Sequence, residues 1–263
     1  MNKSNLTGGG TPHSIPSEIK VLELFSGTEC LSNAFRNRGY KCFTVDWDKK
    51  FPSDLHIDIE QLTADMILEK FGKPDVIWVG TDCTTFSIAA ISHHRRKNPE
   101  TGSLDPVSEY AKKCDSTNIH VKELIKELNP TIQIWENPRG GLRKMWYMQD
   151  LNRQTTTYCQ YGFKYMKPTD FFSNIDLKLK PPCKNGAPCH ERAPRGSKSG
   201  LQKIKGADLR SMYPKELCEH MVDVCEEYLY EYHLLDKCKD CANKWSSQEC
   251  EMCEEFDMYK ENI

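Results

Sequence analysis

The chain has 263 residues, of which 38% are apolar and 28% charged, with 15 Gly and 14 Pro. That composition supplies a real core, and with a mean hydropathy of −0.67 and no apolar run near the roughly 18–20 residues of a membrane span it excludes a membrane, collagen-like or wholly disordered chain. The net charge of −2 hides an asymmetry: Lys and Arg against Asp and Glu number 16 to 19 in residues 1–137, 15 to 5 in 138–213, and 5 to 14 in 214–263.

Residues 1–19 are polar and rich in Gly, Pro and Ser, read as a flexible tail, and lack the apolar core of a secretory signal. From Lys20 a strand–helix alternation begins. Residues 20–25 (KVLELF) form a short apolar run ended by Ser26-Gly27, and helical spacing follows near 31–38. Residues 41–46 (KCFTVD) make a second strand and 56–59 a short third, before helical spacing over 62–71. Residues 76–79 (VIWV) read as a buried strand, 107–128 as a long helix stopped by Asn129-Pro130, and 131–136 (TIQIWE) as the next strand. Strands separated by helices imply an α/β fold, a parallel sheet covered on both faces, with its chemistry at the carboxyl ends of the strands. Residues 155–160 and 169–174 read as further β segments, 176–212 as loop, and Pro214 opens a last amphipathic helix. The expected division is therefore a tail (1–19), a catalytic domain (20–175), a basic region (176–213), a returning helix (214–236) and a Cys-rich end (237–263).

The polar residues with chemical potential fall at predicted strand ends. Phe25 and Gly27 close the first strand, where a glycine lets backbone approach a ligand. Asp46 ends the second strand 19 residues after Gly27, the placement of a ribose-binding acid in nucleotide pockets, with Trp47 beside it to stack on a base. Asp58 ends the third. Singly, an acid before a turn is a common structural feature; together the three mark a pocket. Cys83 lies on the loop after VIWV, amid small polar residues, in the position of a nucleophile, although an isolated Cys is more often a small core residue. Glu136 ends the neighbouring strand, where partial desolvation lets a carboxyl hold a proton near neutral pH. The +10 stretch of 138–213 points to a polyanionic partner, its plain alternative being a solvated basic face.

Phe25-Ser26-Gly27, Cys83-Thr84-Thr85-Phe86-Ser87, Glu136-Asn137 and Tyr161-Gly162 occur in an order and spacing that resemble the DNA cytosine-C5 methyltransferases, in the compact form found in bacteriophages. The resemblance covers roughly residues 20–232. It implies a Rossmann-like fold that binds S-adenosylmethionine, with Phe25 and Gly27 near the methionine part, Asp46 on the ribose, Trp47 on the adenine face and Asp58 on the adenine amino group. It further implies Cys83 as nucleophile, Glu136 on the target base, and DNA as partner, contacted by Arg95, Arg96, Arg139, Lys167, Arg195 and Lys198. The cell interior, bacterial or phage-infected, is the expected location, with no membrane association and no obligate protein partner evident. Two departures stand out. Asp82 replaces the family's proline before the nucleophile, and the family's paired arginines after the Tyr-Gly region reduce to Lys167. These leave open a relative that binds DNA without the reaction, or one that installs a different group on cytosine.

Thirteen cysteines, an odd number spread along the chain, read as reduced thiols, some of them metal ligands. Cys238, Cys241, Cys250 and Cys253 form two CxxC pairs in a segment with little to bury, the pattern of a tetrahedral structural zinc. Cys183, Cys189 and His190 make a weaker set without an obvious fourth ligand, and read as part of a structural loop.

Overall fold

The structure is a computed structural model that describes residues 19–192 and 211–241, with side chains to Tyr232. Its centre is a seven-stranded sheet. β1 (Lys20–Leu24), β2 (Lys41–Asp46), β3 (Leu55–His56), β4 (Val76–Val79), β7 (Ile132–Pro138), β8 (Asn152–Thr157) and β9 (Pro168–Ser173) take the spatial order 3-2-1-4-7-9-8. β1 pairs in parallel with β2 and β4, and β4 with β7, while β9 is inserted antiparallel between β7 and β8. Every residue of β4 is buried and four of five in β1, as expected of central parallel strands covered on both faces. The helices interleaved with the parallel strands include α1 (Cys30–Asn37), α2 (Ala64–Lys70) and α4 (Glu109–Leu128).

Local sequence accounts for most of these boundaries. Thr63 accepts a hydrogen bond from the Met66 N–H to start α2, and Ser108 accepts from Ala111 N–H to start α4. Asn129 ends α4 in the left-handed conformation at φ 45°, just before Pro130. Ala111, Cys114, Asn118, Val121, Ile125 and Leu128 form the buried stripe of α4.

The structure departs from the sequence reading in four places. The third strand is only two residues long, and Asp58 caps a 3-10 turn (Ile59–Gln61) by accepting from Glu60 N–H. The polar stretch after Cys83 holds a short helix, α3 (Ile91–His94), and a hairpin of β5 (Arg95–Lys97) with β6 (Leu104–Pro106). β8 begins and ends three residues earlier than expected, because Tyr158–Tyr161 turns as a 3-10 helix that buries both tyrosines before Gly162, at φ 90°. The last helix, α5 (Lys215–Cys241), runs past the expected end at 236. Residues 176–192 contain neither helix nor strand, as the composition implied. The chain divides into two units, Pro16–Cys225 and a second made of Met1–Ile15 with Glu226–Ile263, of which only the end of α5 is described. No helix among the described residues is long and apolar enough to cross a membrane.

Candidate active site

Parallel register aligns the strand ends that carry the candidate residues. Leu24 pairs with both Val45 and Val79, and Val79 pairs with Trp135. One residue past that line lie Phe25, Asp46, Gly80 and Glu136, at one level near the same edge of the sheet. The first three are at or just past the ends of their strands, whereas β7 runs two residues beyond Glu136 through its pairing with β9.

On the β1–β2 side the chain turns sharply, with Phe25 at φ 58° and Gly27 at φ 49°. A Cβ on Gly27 would meet nothing within 4 Å, so the turn faces open space. Asp46 is buried, and its two oxygens accept from Gly27 N–H and Asp48 N–H, each at 2.9 Å. These bonds fix the carboxylate at the mouth of the turn. Trp47 leaves its indole 67% exposed, an unusual state for the largest side chain and the one a stacked base would cover. Asp58 is also exposed, with Lys113 Nζ 3.6 Å from its Oδ2. An open glycine turn, a fixed acid and an exposed indole fit a nucleoside-containing cofactor such as S-adenosylmethionine.

On the β4–β7 side, Cys83 and Glu136 come together. Burial, the Glu136 charge and then the Asp82 charge push the Cys83 thiol up to about 11, while Lys167 pulls the other way. Glu136 is buried and its pKa is raised by desolvation, offset by Lys167 and by hydrogen bonds from Tyr158 and Tyr213. The Tyr158 hydroxyl donates to Glu136 Oε1 at 2.8 Å. Lys167 is buried, with its ammonium 4.4 Å from the centre of the Tyr158 ring. This cation therefore faces the Cys83–Glu136 pair, away from the surface where a phosphate contact was expected.

Asp82 does not point freely into solvent. Its oxygens accept from Thr84 N–H at 2.6 Å and from the Tyr110 hydroxyl. Behind it a buried polar chain grips the loop on both sides of the thiol. Thr81 donates to Asn118 Oδ1 at 2.5 Å, and Asn137 Nδ2 donates to the Thr81 carbonyl at 3.2 Å. Thr85 is held by Arg95, whose guanidinium also pairs in fork fashion with Asp115 at 2.8 and 2.9 Å and lies 4.0 Å over the Phe86 ring. The Arg95 side chain is fully buried, so the expected DNA contact there is replaced by a structural role. Arg96 and Arg139 remain exposed. Gly141 N–H donates to the Phe86 carbonyl at 2.7 Å, and a Cβ on Gly140 would fall 2.2 Å from that oxygen. The Gly140-Gly141 pair thus lets the β7 end press against the Cys83 loop.

Tyr158, Tyr213, Asn118 and Asp115 escaped the sequence reading. Only Asn118 left a signal, as a polar residue within the apolar stripe of α4. Arg195, Lys198, Cys250 and Cys253 lie outside the described residues, and Cys238 and Cys241 are described only as part of the α5 backbone. Cys159 is a further omission: it meets Cys183, Cys189 and His190, a fourth group of ligand type beside that set.

Sheet order, with one antiparallel strand inserted next to the edge, and the strand-end pocket define a Rossmann-like fold of the S-adenosylmethionine-dependent methyltransferase type. No family model matches the sequence, and no curated protein matches it. Among solved structures the chain is similar to a protein described as a DNA modification methyltransferase encoded within an E. coli prophage, at 18% identity and TM-score 0.44, over 63% of this chain and 51% of that one. It is also similar to the Entamoeba histolytica methyltransferase EhMeth, at 11% identity and TM-score 0.45, over 64% and 58%. The S. pombe Dnmt2 methyltransferase matches at 15% identity and TM-score 0.42, over 62% and 52%. The chain spans a little over half the length of these structures, and the likeness is one of fold.

Proposed function

We propose that the protein methylates C5 of cytosine in DNA. The observation that carries this reading is the convergence of a thiol, a desolvated carboxyl and a buried ammonium, Cys83, Glu136 and Lys167, at one strand edge beside a nucleoside-type pocket. Cytosine C5 is a poor nucleophile. Addition of the Cys83 thiolate to C6 turns the ring into an enamine with electron density at C5. Glu136 hydrogen-bonds or protonates N3 and so neutralises the charge that this addition creates. Lys167 stabilises both the thiolate and the Glu136 carboxylate, and the Tyr158 hydroxyl holds that carboxylate in place. Phe25, Gly27, Asp46, Trp47 and Asp58 would hold S-adenosylmethionine at the first three strand ends, where it would supply the methyl group for C5 and leave as the thioether S-adenosylhomocysteine. Loss of the C5 proton to a solvent base then breaks the C6–S bond, releases the Cys83 thiolate and restores the C5–C6 double bond. The target carbon is shielded in a stacked duplex, so the base is flipped out to reach the pocket. Phosphates are met by the basic 138–213 region and the exposed Arg96 and Arg139.

Incubation with DNA carrying 5-fluorocytosine is the decisive experiment, because fluorine blocks the last elimination. A covalent adduct mapped to Cys83 is expected, with Cys83→Ser forming none and turning over no substrate while binding S-adenosylmethionine normally. Cofactor-competent wild type that forms no adduct overturns the mechanism.

A further inference from the structure

Outside the active edge, four potential ligands converge from two segments that local sequence keeps apart. Cys159 comes from the turn after β8, and Cys183, Cys189 and His190 from the 176–192 loop, with all four ligand atoms within 4.8 Å of one another. The Sγ atoms of Cys189 and Cys159 are 3.6 Å apart, and His190 Nδ1 lies 3.5 Å from the sulfurs of both Cys183 and Cys189. Tetrahedral zinc with Zn–S of about 2.3 Å and Zn–N of about 2.0 Å requires ligand separations of roughly 3.5–3.8 Å. The Cys159–Cys183 separation, 3.1 Å, is tighter than this, yet far beyond the ~2.05 Å of a disulfide.

We propose that Cys159, Cys183, Cys189 and His190 hold a structural zinc ion that staples the loop of residues 180–192 to the turn carrying Tyr158. Three thiolates and an imidazole select zinc over the hard cations, and four protein ligands leave no open position for catalysis. The loop needs such a staple. Its sequence, KPPCKNGAPCHER, has almost nothing to bury, so a metal replaces the missing core. The scaffold around the ligands is already tied. Cys183 N–H donates to Thr157 Oγ1 at 3.0 Å, Thr156 Oγ1 to the Lys180 carbonyl at 2.7 Å, and Lys180 N–H to the Tyr161 hydroxyl at 2.9 Å. Glu191 N–H closes the far end on the Lys164 carbonyl at 2.7 Å. Coordination through Nδ1 puts the imidazole proton on Nε2, where it meets Gly186 N–H 3.2 Å away, so loading turns that amide aside. Gly186, at φ 90°, sits on the segment that has to give. The ion also bears on the active edge, because Cys159 directly follows Tyr158 and the Tyr158 hydroxyl holds Glu136. The proposal itself is independent of the reaction assigned to Cys83.

Zinc per chain is measured on full-length protein purified without chelator. Cys183→Ser combined with Cys189→Ser is expected to hold one zinc fewer than wild type, whatever the terminal cysteines bind. His190→Cys preserves four ligands, so it keeps the wild-type content. After cobalt substitution its spectrum gains thiolate-to-metal charge-transfer intensity over wild type. An unchanged zinc content in the double variant, or wild type without zinc, overturns the proposal. Should the double variant fail to fold, the cobalt comparison decides: a His190→Cys spectrum identical to wild type removes His190 from the ligand set and overturns the site.

Discussion

Cys83 is held as a thiol until something changes its surroundings. Burial is the largest cause, the Glu136 charge the next and the Asp82 charge the third, so Asp82 modulates a proton that desolvation already retains. With the thiol pushed up to about 11, the thiolate fraction of the free protein rises about tenfold per pH unit through neutrality. Alkylation of Cys83 by iodoacetamide is expected to follow that slope. Asp82→Asn removes one like charge and lowers the thiol pKa, which speeds alkylation at pH 8 by about 3–10-fold. Superimposable profiles for wild type and Asp82→Asn would make Asp82 a conformational residue only, holding Thr84 N–H and Tyr110. Glu136 runs in the opposite sense. Its raised pKa preserves the protonated form to higher pH, and N3 needs that proton while C6 needs the thiolate. Turnover is therefore expected to rise and then fall with pH, checked as single-turnover rate across the range.

At the scale of elements, the Cys83 loop is fixed less by its own sequence than by α4 and the β5–β6 hairpin. Thr81 is tied to Asn118 and Thr85 to Arg95, and Tyr147 bridges the two by donating to Asp115 Oδ1 at 2.9 Å. The Arg95 side chain is fully buried, so its replacement leaves the half-buried Asp115 carboxylate with the Tyr147 hydroxyl but without its charge partner, and Thr85 without the donor that holds it. Arg95→Met is expected to cost about 3–5 kcal/mol of stability in urea melts, whereas the exposed Arg96→Ala changes it by less than about 0.5 kcal/mol. The same pair separates structure from binding: Arg96→Ala should weaken DNA binding, and a loss of stability as large as that of Arg95→Met would refute its assignment to the surface.

For the whole molecule the relevant quantity is the distribution of charge. The +10 region of 138–213 lies in sequence between stretches of −3 and −9, so a net charge of −2 conceals a strongly basic stretch of the kind that attracts a polyanion. DNA binding is expected to fall by about 10³-fold between 50 and 200 mM salt if six phosphates are neutralised. Arg195→Glu with Lys198→Glu should reduce the slope of log affinity against log salt by about 2 without altering S-adenosylmethionine binding. An unchanged slope assigns this region to another partner. The terminal Cys238, Cys241, Cys250 and Cys253 are proposed to hold their own zinc. Removal of residues 237–263 should lower the zinc content by one per chain and spare cofactor binding, and an unchanged zinc content would refute that quartet.

Strand runs such as VIWV, the caps at Thr63 and Ser108 and the stop at Asn129-Pro130 act over a few residues, so sequence alone determined the α/β alternation and placed Asp46 at the end of β2 and Cys83 on the loop after β4. Glu136 reads from sequence as ending its strand, but pairing with β9 carries β7 on to Pro138. Sequence also read the long helix that became α4 and its stop. It could not tell that Arg95 turns inward, because an arginine in a polar stretch looks the same whether it meets Asp115 or a phosphate. Nor could it bring Lys167 and Tyr158 to Glu136. That proximity depends on β9 running antiparallel between β7 and β8, a pairing between segments about 35 residues apart. Cys159 and His190 meet for the same reason. Local pattern sets which residues end a strand, and only the order of strands in the sheet decides which ends become neighbours.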